Sequence, residues 1–389
     1  MFILRSWNRL SAGLCAVLTI FVLAVNPFVQ QVISLDTRQV NVTDGAANLP
    51  IASQYIGSVP STTLLNSSMQ SAIYEGILAL DNRSFVPTPI CSTGNCTWPS
   101  YETLSICSTC QNVTHLLLSS TSQEAPEYQD YMLPNGFRLD QSPASMFDSW
   151  TFYNMSTAMK PLTFDNEGSV LSNIQLIYST MPSRVEAFEC ILQVCVNAYT
   201  GGEVNGQFTE TPQREPWTNT SNAWLPDNPC ATGQEIAAQS NCNQQDWYFS
   251  VPGHKDDFIF DGLTVDRLMG FLGTSFTETY TGNYGVNPGF GAFQHPVLEQ
   301  RFFDVLSGST SPNGSFPSLL SYVAQSMSLA VRTTNGESYT GSAASTYTVY
   351  RVIWPWLIFH SHLLCSLLLC WRLLRWKHVM RDYSPGKIA

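Results

Sequence analysis

Two apolar segments, one near each end, constrain this chain more than anything between them. The first runs from Leu10 to about Ile33, almost unbroken from Leu10 to Val25 and continuing past Asn26-Pro27. The second, residues 351–371, holds Val352–Trp371 without a carboxylate, Lys or Arg. About 20 residues at ~1.5 Å each cross a bilayer core, and Pro27 is tolerated near the end of such a helix. Trp354, Trp356, Trp371 and Trp376 sit at the edges of the second segment, as interfacial aromatics do. Arg5 and Arg9 precede the first, and Arg372, Arg375, Lys377 and Arg381 follow the second. The segments therefore predict a membrane protein with two transmembrane helices and both termini cytosolic. The layout is 1–9 cytosolic, 10–34 transmembrane, 35–350 extracytosolic, 351–371 transmembrane and 372–389 a basic cytosolic tail. A cleaved signal peptide ending near Val22-Leu23-Ala24 is the competing reading of the first segment, and it too puts the middle outside the cytosol.

The middle has the chemistry of that compartment. Charged residues make up only 12% of the 389, about half the ordinary share. Between Leu35 and Arg351 there are 11 Lys/Arg against 28 Asp/Glu. So acidic a surface repels phosphate and excludes nucleic acid as a partner. Of 11 cysteines, eight lie in the middle: Cys91, Cys96, Cys107, Cys110, Cys190, Cys195, Cys230 and Cys242. An even set in an oxidising compartment predicts disulfides rather than zinc binding or redox catalysis, although Cys107-x-x-Cys110 has the spacing for either.

Geometry narrows the pairing. Ala187–Tyr199 reads as a buried strand, which places Cys190 and Cys195 about 16 Å apart at ~3.3 Å per residue. A disulfide needs Cα atoms within about 7 Å. Both should therefore bond elsewhere, with the Cys91–Cys110 cluster as the favoured partner, leaving Cys230 and Cys242 to each other. Asn41, Asn66, Asn82, Asn112, Asn154, Asn219 and Asn313 are N-glycosylation candidates. Asn95 also begins a sequon, with Cys96 in its middle.

The coarse pattern predicts an α+β domain: a helix over 68–80, a turn-rich cysteine cluster, two strands over 169–199, a long polar loop to Gln245, and helices over 296–306 and 317–331. No catalytic motif is found. Asp256, Asp257 and Asp261 are weighed as a Ca²⁺ or acid/base group and read as a solvated acidic turn. His115, His254 and His295 have no evident partner. No cofactor is implied.

Four stretches carry a resemblance: Asn26-Pro27-Phe28-Val29-Gln30-Gln31; CSTGNCTWPSYETLSICSTC with Asn112-Val113-Thr114; FECILQVCVNAY; and SYVAQSMSLAVRT leading through Gly341 to RVIWPWL. They resemble a fungal family of multi-span membrane proteins carrying a domain of unknown function. Members of that family usually carry further spans before the segment that here starts at Leu10, and end differently after Leu369. The resemblance implies a multi-span membrane protein with this ectodomain and no established activity. The expected function is a binding or structural ectodomain at the plasma membrane or in the secretory pathway, its partners the lipid bilayer and a cell-wall or extracellular ligand. The alternative is a tethered enzyme acting on glycans or peptides.

Overall fold

The structure is a computed structural model. It describes residues 33–42, 46–57, 64–79, 83–121, 129–140, 149–164, 168–180, 184–218, 246–253, 255–283, 296–307 and 315–355, with Val17, Ile20 and scattered positions from 358 to 375. These form two compact units: the chain ends up to Val42 and from Ala344, and Thr43–Ala343. The described residues contain seventeen strands and four α-helices, numbered below in chain order.

In the unit of the chain ends, β1 (Ile33–Val42) lies beside β17 (Ser342–Val352). Its strands are largely exposed, Ile33, Leu35, Tyr347 and Tyr350 among them.

The larger unit is organised by one pair of long strands, β5 (Asn95–Asn112) and β11 (Arg184–Val204). They run antiparallel from Phe188 opposite Asn112 to Val204 opposite Asn95, and the register shifts between Tyr199 and Gly201. Pro99, which cannot donate to a ladder, lies at that irregularity. The sheet continues from β11 through β10 (Val170–Thr180) and β9 (Ser149–Ser156) to β15 (Glu278–Asn283). From Tyr199 to Val204, β11 pairs instead with β12 (Gln207–Pro212). The turn between those two strands is Asn205-Gly206, both at positive φ (53° and 78°), the signature of a tight two-residue hairpin. Between the β10 and β12 pairings, Val196 exchanges backbone hydrogen bonds with Trp217, and Gln213 N donates to Ala198 O.

Alternation gives the strand pair two different faces. Leu104, Ile106, Cys190, Leu192, Val194 and Val196 form one face, buried with Ile73 and Ile77 of α1 (Ser67–Leu78) and Leu320, Val323 and Met327 of α4 (Phe316–Thr334). Residues of α2 (Gly262–Ser275) and α3 (Pro296–Ser307) join the same core. The helices α1 and α4 touch backbone to backbone: a Cβ on Gly76 would lie 2.5 Å from Val323 Cα. The outer edge of β5 is closed without a strand at its centre. Ser328 Oγ of α4 accepts from Ile106 N and donates to Ile106 O, while Leu104 N donates to Ala52 O. Capping in this way removes an open ladder edge.

Three small sheets complete the unit. β13 (Trp247–Phe249), β14 (Phe258–Phe260) and β3 (Gln54–Tyr55) form one, and β16 (Ser338–Thr340), β2 (Ala47–Pro50) and β4 (Ile90–Cys91) another. The third, β6 (Leu118–Thr121), β7 (Gln129–Met132) and β8 (Arg138–Leu139), contributes Leu139 to a core with Ile177 and Ala187 on the opposite face of the main sheet.

Two expectations are corrected. The fold class, two transmembrane helices around an α+β domain, does not stand: strands dominate, and among the described residues no helix is long and apolar enough to cross a membrane. Apolar content alone does not set the backbone period. Ile33 and Ser34, in the 10–34 segment, and Arg351 and Val352, in the 351–371 segment, are strand residues, where β-branched and aromatic side chains alternate with polar ones. Most of 10–32 lies outside the described residues; Trp354, Ile358 and Leu368 are helical and exposed. Second, the cysteine cluster is turn-rich only at Ser92–Gly94; from Asn95 it is an 18-residue strand rich in Thr, Tyr, Ile and Cys.

Candidate functional site

Residues 188–195 of β11 and 105–112 of β5 carry two disulfides. Cys110 and Cys190 face each other directly in the register and are bonded, with Cα atoms 4.0 Å apart. Cys107 bonds diagonally to Cys195, with Cα atoms 6.0 Å apart. Spacings of three and five residues place the members of each strand on opposite sides of the pleat. Cys110–Cys190 thus lies on the helix-covered face and Cys107–Cys195 on the other, so the strands are clamped from both sides. Cys190 and Cys195 do not bond to each other. Cys91 bonds to Cys96 across the turn that precedes β5, and Cys230 and Cys242 lie outside the described residues.

At the other end of β11 the fastening is ionic and aromatic. Arg332, in the last turn of α4, pairs with Glu210 of β12 through two hydrogen bonds of 3.0 and 2.9 Å, and its Nε donates to Pro50 O at 3.1 Å. Its guanidinium lies 5.9 and 5.7 Å from the rings of Tyr101 and Tyr199, and the Tyr101 hydroxyl donates to Glu210. Arg332 is 4% exposed. Burial disfavours its charge, yet the Glu210 hydrogen bonds and charge outweigh that and raise its pKa. Burial, then Glu210, pushes the Tyr101 phenol upward, and burial raises Tyr199. The charged and phenolic groups here are turned on one another, so the arrangement is a closed lock, not a reactive group awaiting substrate.

A second buried acid, Glu189, accepts from Leu162 N, Thr163 N, Thr163 Oγ1 and Gln175 Nε2 at 2.5–3.0 Å. Four donors replace its hydration and tie residues 162–163 to the sheet.

Of the three acids read from the sequence, Asp256 is exposed and the other two have structural tasks. Asp261 caps α2, accepting from Thr264 N at 2.8 Å. Asp257 accepts from Ser250 Oγ. Nearby Asp266 is pushed up to about 6, mainly by burial. Among the described residues no group of three His, Cys, Asp or Glu is placed to hold a metal. His115 sits in a short 3₁₀ turn; His254 and His295 lie outside the described residues.

The sequons differ in surroundings. Asn41 is exposed on β1 and Asn112 is exposed at the end of β5. Asn66 is the N-cap of α1, accepting from Met69 N at 2.9 Å. Asn154, on the interior strand β9, donates from Nδ2 to Arg138 O at 2.7 Å and accepts from Thr279 Oγ1 at 2.9 Å. Asn82, Asn219 and Asn313 lie outside the described residues.

Sequence reasoning does not single out Arg332, Glu210 or Glu189. One signal for the first exists: Arg332 is the only charged residue in the nineteen of α4, and a lone charge on a helix with one apolar face invites a buried partner. No family model, curated protein or solved structure matches the chain.

Proposed function

We propose that Thr43–Ala343 is a binding or structural module that works in an oxidising, extracytosolic compartment as a glycoprotein. The observation that carries the reading is the double clamp of β5 to β11. Two bonds on opposite faces of one strand pair require oxidation to persist, and reducing compartments do not maintain such bonds. The low charge and the sequons support the same compartment. Binding is favoured over catalysis because the buried ionic groups at Arg332, Glu210 and Glu189 have their hydrogen-bonding capacity directed into the fold.

The test is differential alkylation of the protein isolated from its native source, before and after reduction, read by peptide mass spectrometry. The six cysteines should label only after reduction, as the pairs Cys91–Cys96, Cys107–Cys195 and Cys110–Cys190. Labelling of all six before reduction would sink the proposal.

A further inference from the structure

Two described sequons, Asn112 and Asn154, sit on the same sheet in opposite circumstances. Asn112 is exposed. Its Oδ1 accepts from Thr114 N at 3.0 Å, which fixes the side-chain amide against the backbone. Thr114 is itself held, its Oγ1 accepting from Ala187 N at 2.9 Å. Directly across the ladder from Asn112 is Phe188. Opposed residues of an antiparallel pair project to the same face. Phe188 is half-buried and stacks on Tyr178, with ring centroids 6.4 Å apart and planes 13° apart. An anchored amide thus stands beside an aromatic platform.

Asn154 is half-buried, and both ends of its side-chain amide are already engaged. β9 is flanked on both sides, by β10 and β15. The Asn154 Nδ2, the atom a glycan would occupy, donates to Arg138 O of β8. A sugar on that nitrogen would compete with the bond to Arg138 O.

We infer that Asn112 carries an N-linked glycan whose first sugar packs on Phe188, and that Asn154 stays unmodified in the folded protein. The inference rests on the extracytosolic reading above. In the transfer, Asn112 Nδ2 attacks the anomeric carbon of a pyrophosphate-linked lipid oligosaccharide. The N–C1 bond forms, the C1–O bond to pyrophosphate breaks, the lipid pyrophosphate leaves, and an amide proton passes to a base of the transferase. The sugar's C–H face then covers the part of the Phe188 ring left open to solvent, in the way apolar faces pack on rings.

The experiment uses the full chain made in an N-glycosylating secretory host. Glycopeptide mass spectrometry should find Asn112 occupied and Asn154 bare. Enzymatic deglycosylation of the native protein should lower its Tm by about 3 °C, an ordinary response to losing one packing contact in a unit of this size. The fall should shrink to under about 1 °C in Phe188→Ala, and in Phe188→Leu, which keeps an apolar side chain should the alanine variant fail to fold. Occupancy at Asn154, a bare Asn112, or equal Tm losses in wild type and variants would overturn the inference. The same digest reports the cysteines: bonded pairs with a bare Asn112 defeat only this inference, whereas free thiols defeat the compartment reading as well.

Discussion

The two ends of β11 are fastened by different chemistry. Over residues 190–195 the bonds are covalent, Cys190 and Cys195 reaching Cys110 and Cys107. Over 199–204 the strand is held through its hairpin partner β12, whose Glu210 meets Arg332 beside two tyrosine rings. The difference teaches how the cost of folding is distributed. Disulfides act mainly by limiting the unfolded chain, so their benefit depends on loop length more than on surroundings. A buried ion pair does the reverse: both partners lose hydration, and the pair is favourable only while its geometry is complete. The covalent end tolerates local imperfection, whereas the ionic end requires every partner.

The largest test of this contrast removes both clamps. Cys107–Cys195 and Cys110–Cys190 join residues 88 and 80 positions apart. Closing the first such loop stabilises by about 4.5 kcal/mol; the second closes only the short segments between the bonds and adds about 2.5 kcal/mol. Replacing all four cysteines by alanine should therefore cost roughly 7 kcal/mol, enough to prevent folding in many domains. Replacing Cys110 and Cys190 alone should cost about 2.5 kcal/mol. Urea titration under non-reducing conditions measures both; a double variant that loses half of the quadruple variant's total would show that the bonds do not share one loop.

The next effect is at the ionic end. Glu210→Ala should cost about 3–5 kcal/mol, because Arg332 is left buried and unpaired. Glu210→Leu combined with Arg332→Met should recover most of that loss. A double variant no more stable than the single would mean that the stacking on Tyr101 and Tyr199, rather than the charge, holds the hairpin.

The smallest effect lies away from both ends, in α2. Burial raises the Asp266 carboxyl from its ordinary 3.8 to about 6. The folded state then binds this proton more tightly than the unfolded one. The contribution is fully present below about pH 4 and is lost as pH rises through about 6. Asp266 is only half-buried, so after solvent screening Asp266→Asn should stabilise by about 1 kcal/mol at pH 7 and by nothing measurable at pH 4. Chemical denaturation at the two pH values checks it; an equal effect at both would place the cause elsewhere.

Much of the framework is legible in the residues. The helices at 67–78, 296–307 and 316–334 follow from apolar spacing with caps such as Asn66 and Ser315. The strands over 170–180 and 184–204 follow from dense β-branched and apolar runs. The strand at 95–112 is hidden, because cysteine, glycine and proline around its start mimic a turn. The hairpin at Asn205-Gly206 lies inside what reads as a long polar loop, although that dipeptide is a direct signal for a tight turn.

By itself, the sequence determined that Cys190 and Cys195 could not bond to each other, because a strand separates them by more than a disulfide can span. Only the tertiary structure decided which cysteine each one meets, since register is a property of two strands and neither contains it alone. The same holds for Arg332 and Glu210, 122 residues apart. Local pattern marks a lone charge on a helix, but its partner is chosen by how the sheet brings β12 to the last turn of α4. The apolar ends show the limit from the other side. Composition identified 10–34 and 351–371 as apolar, and where they meet the strands, at 33–34 and 351–352, the backbone period was settled by strand pairing, which hydropathy does not encode.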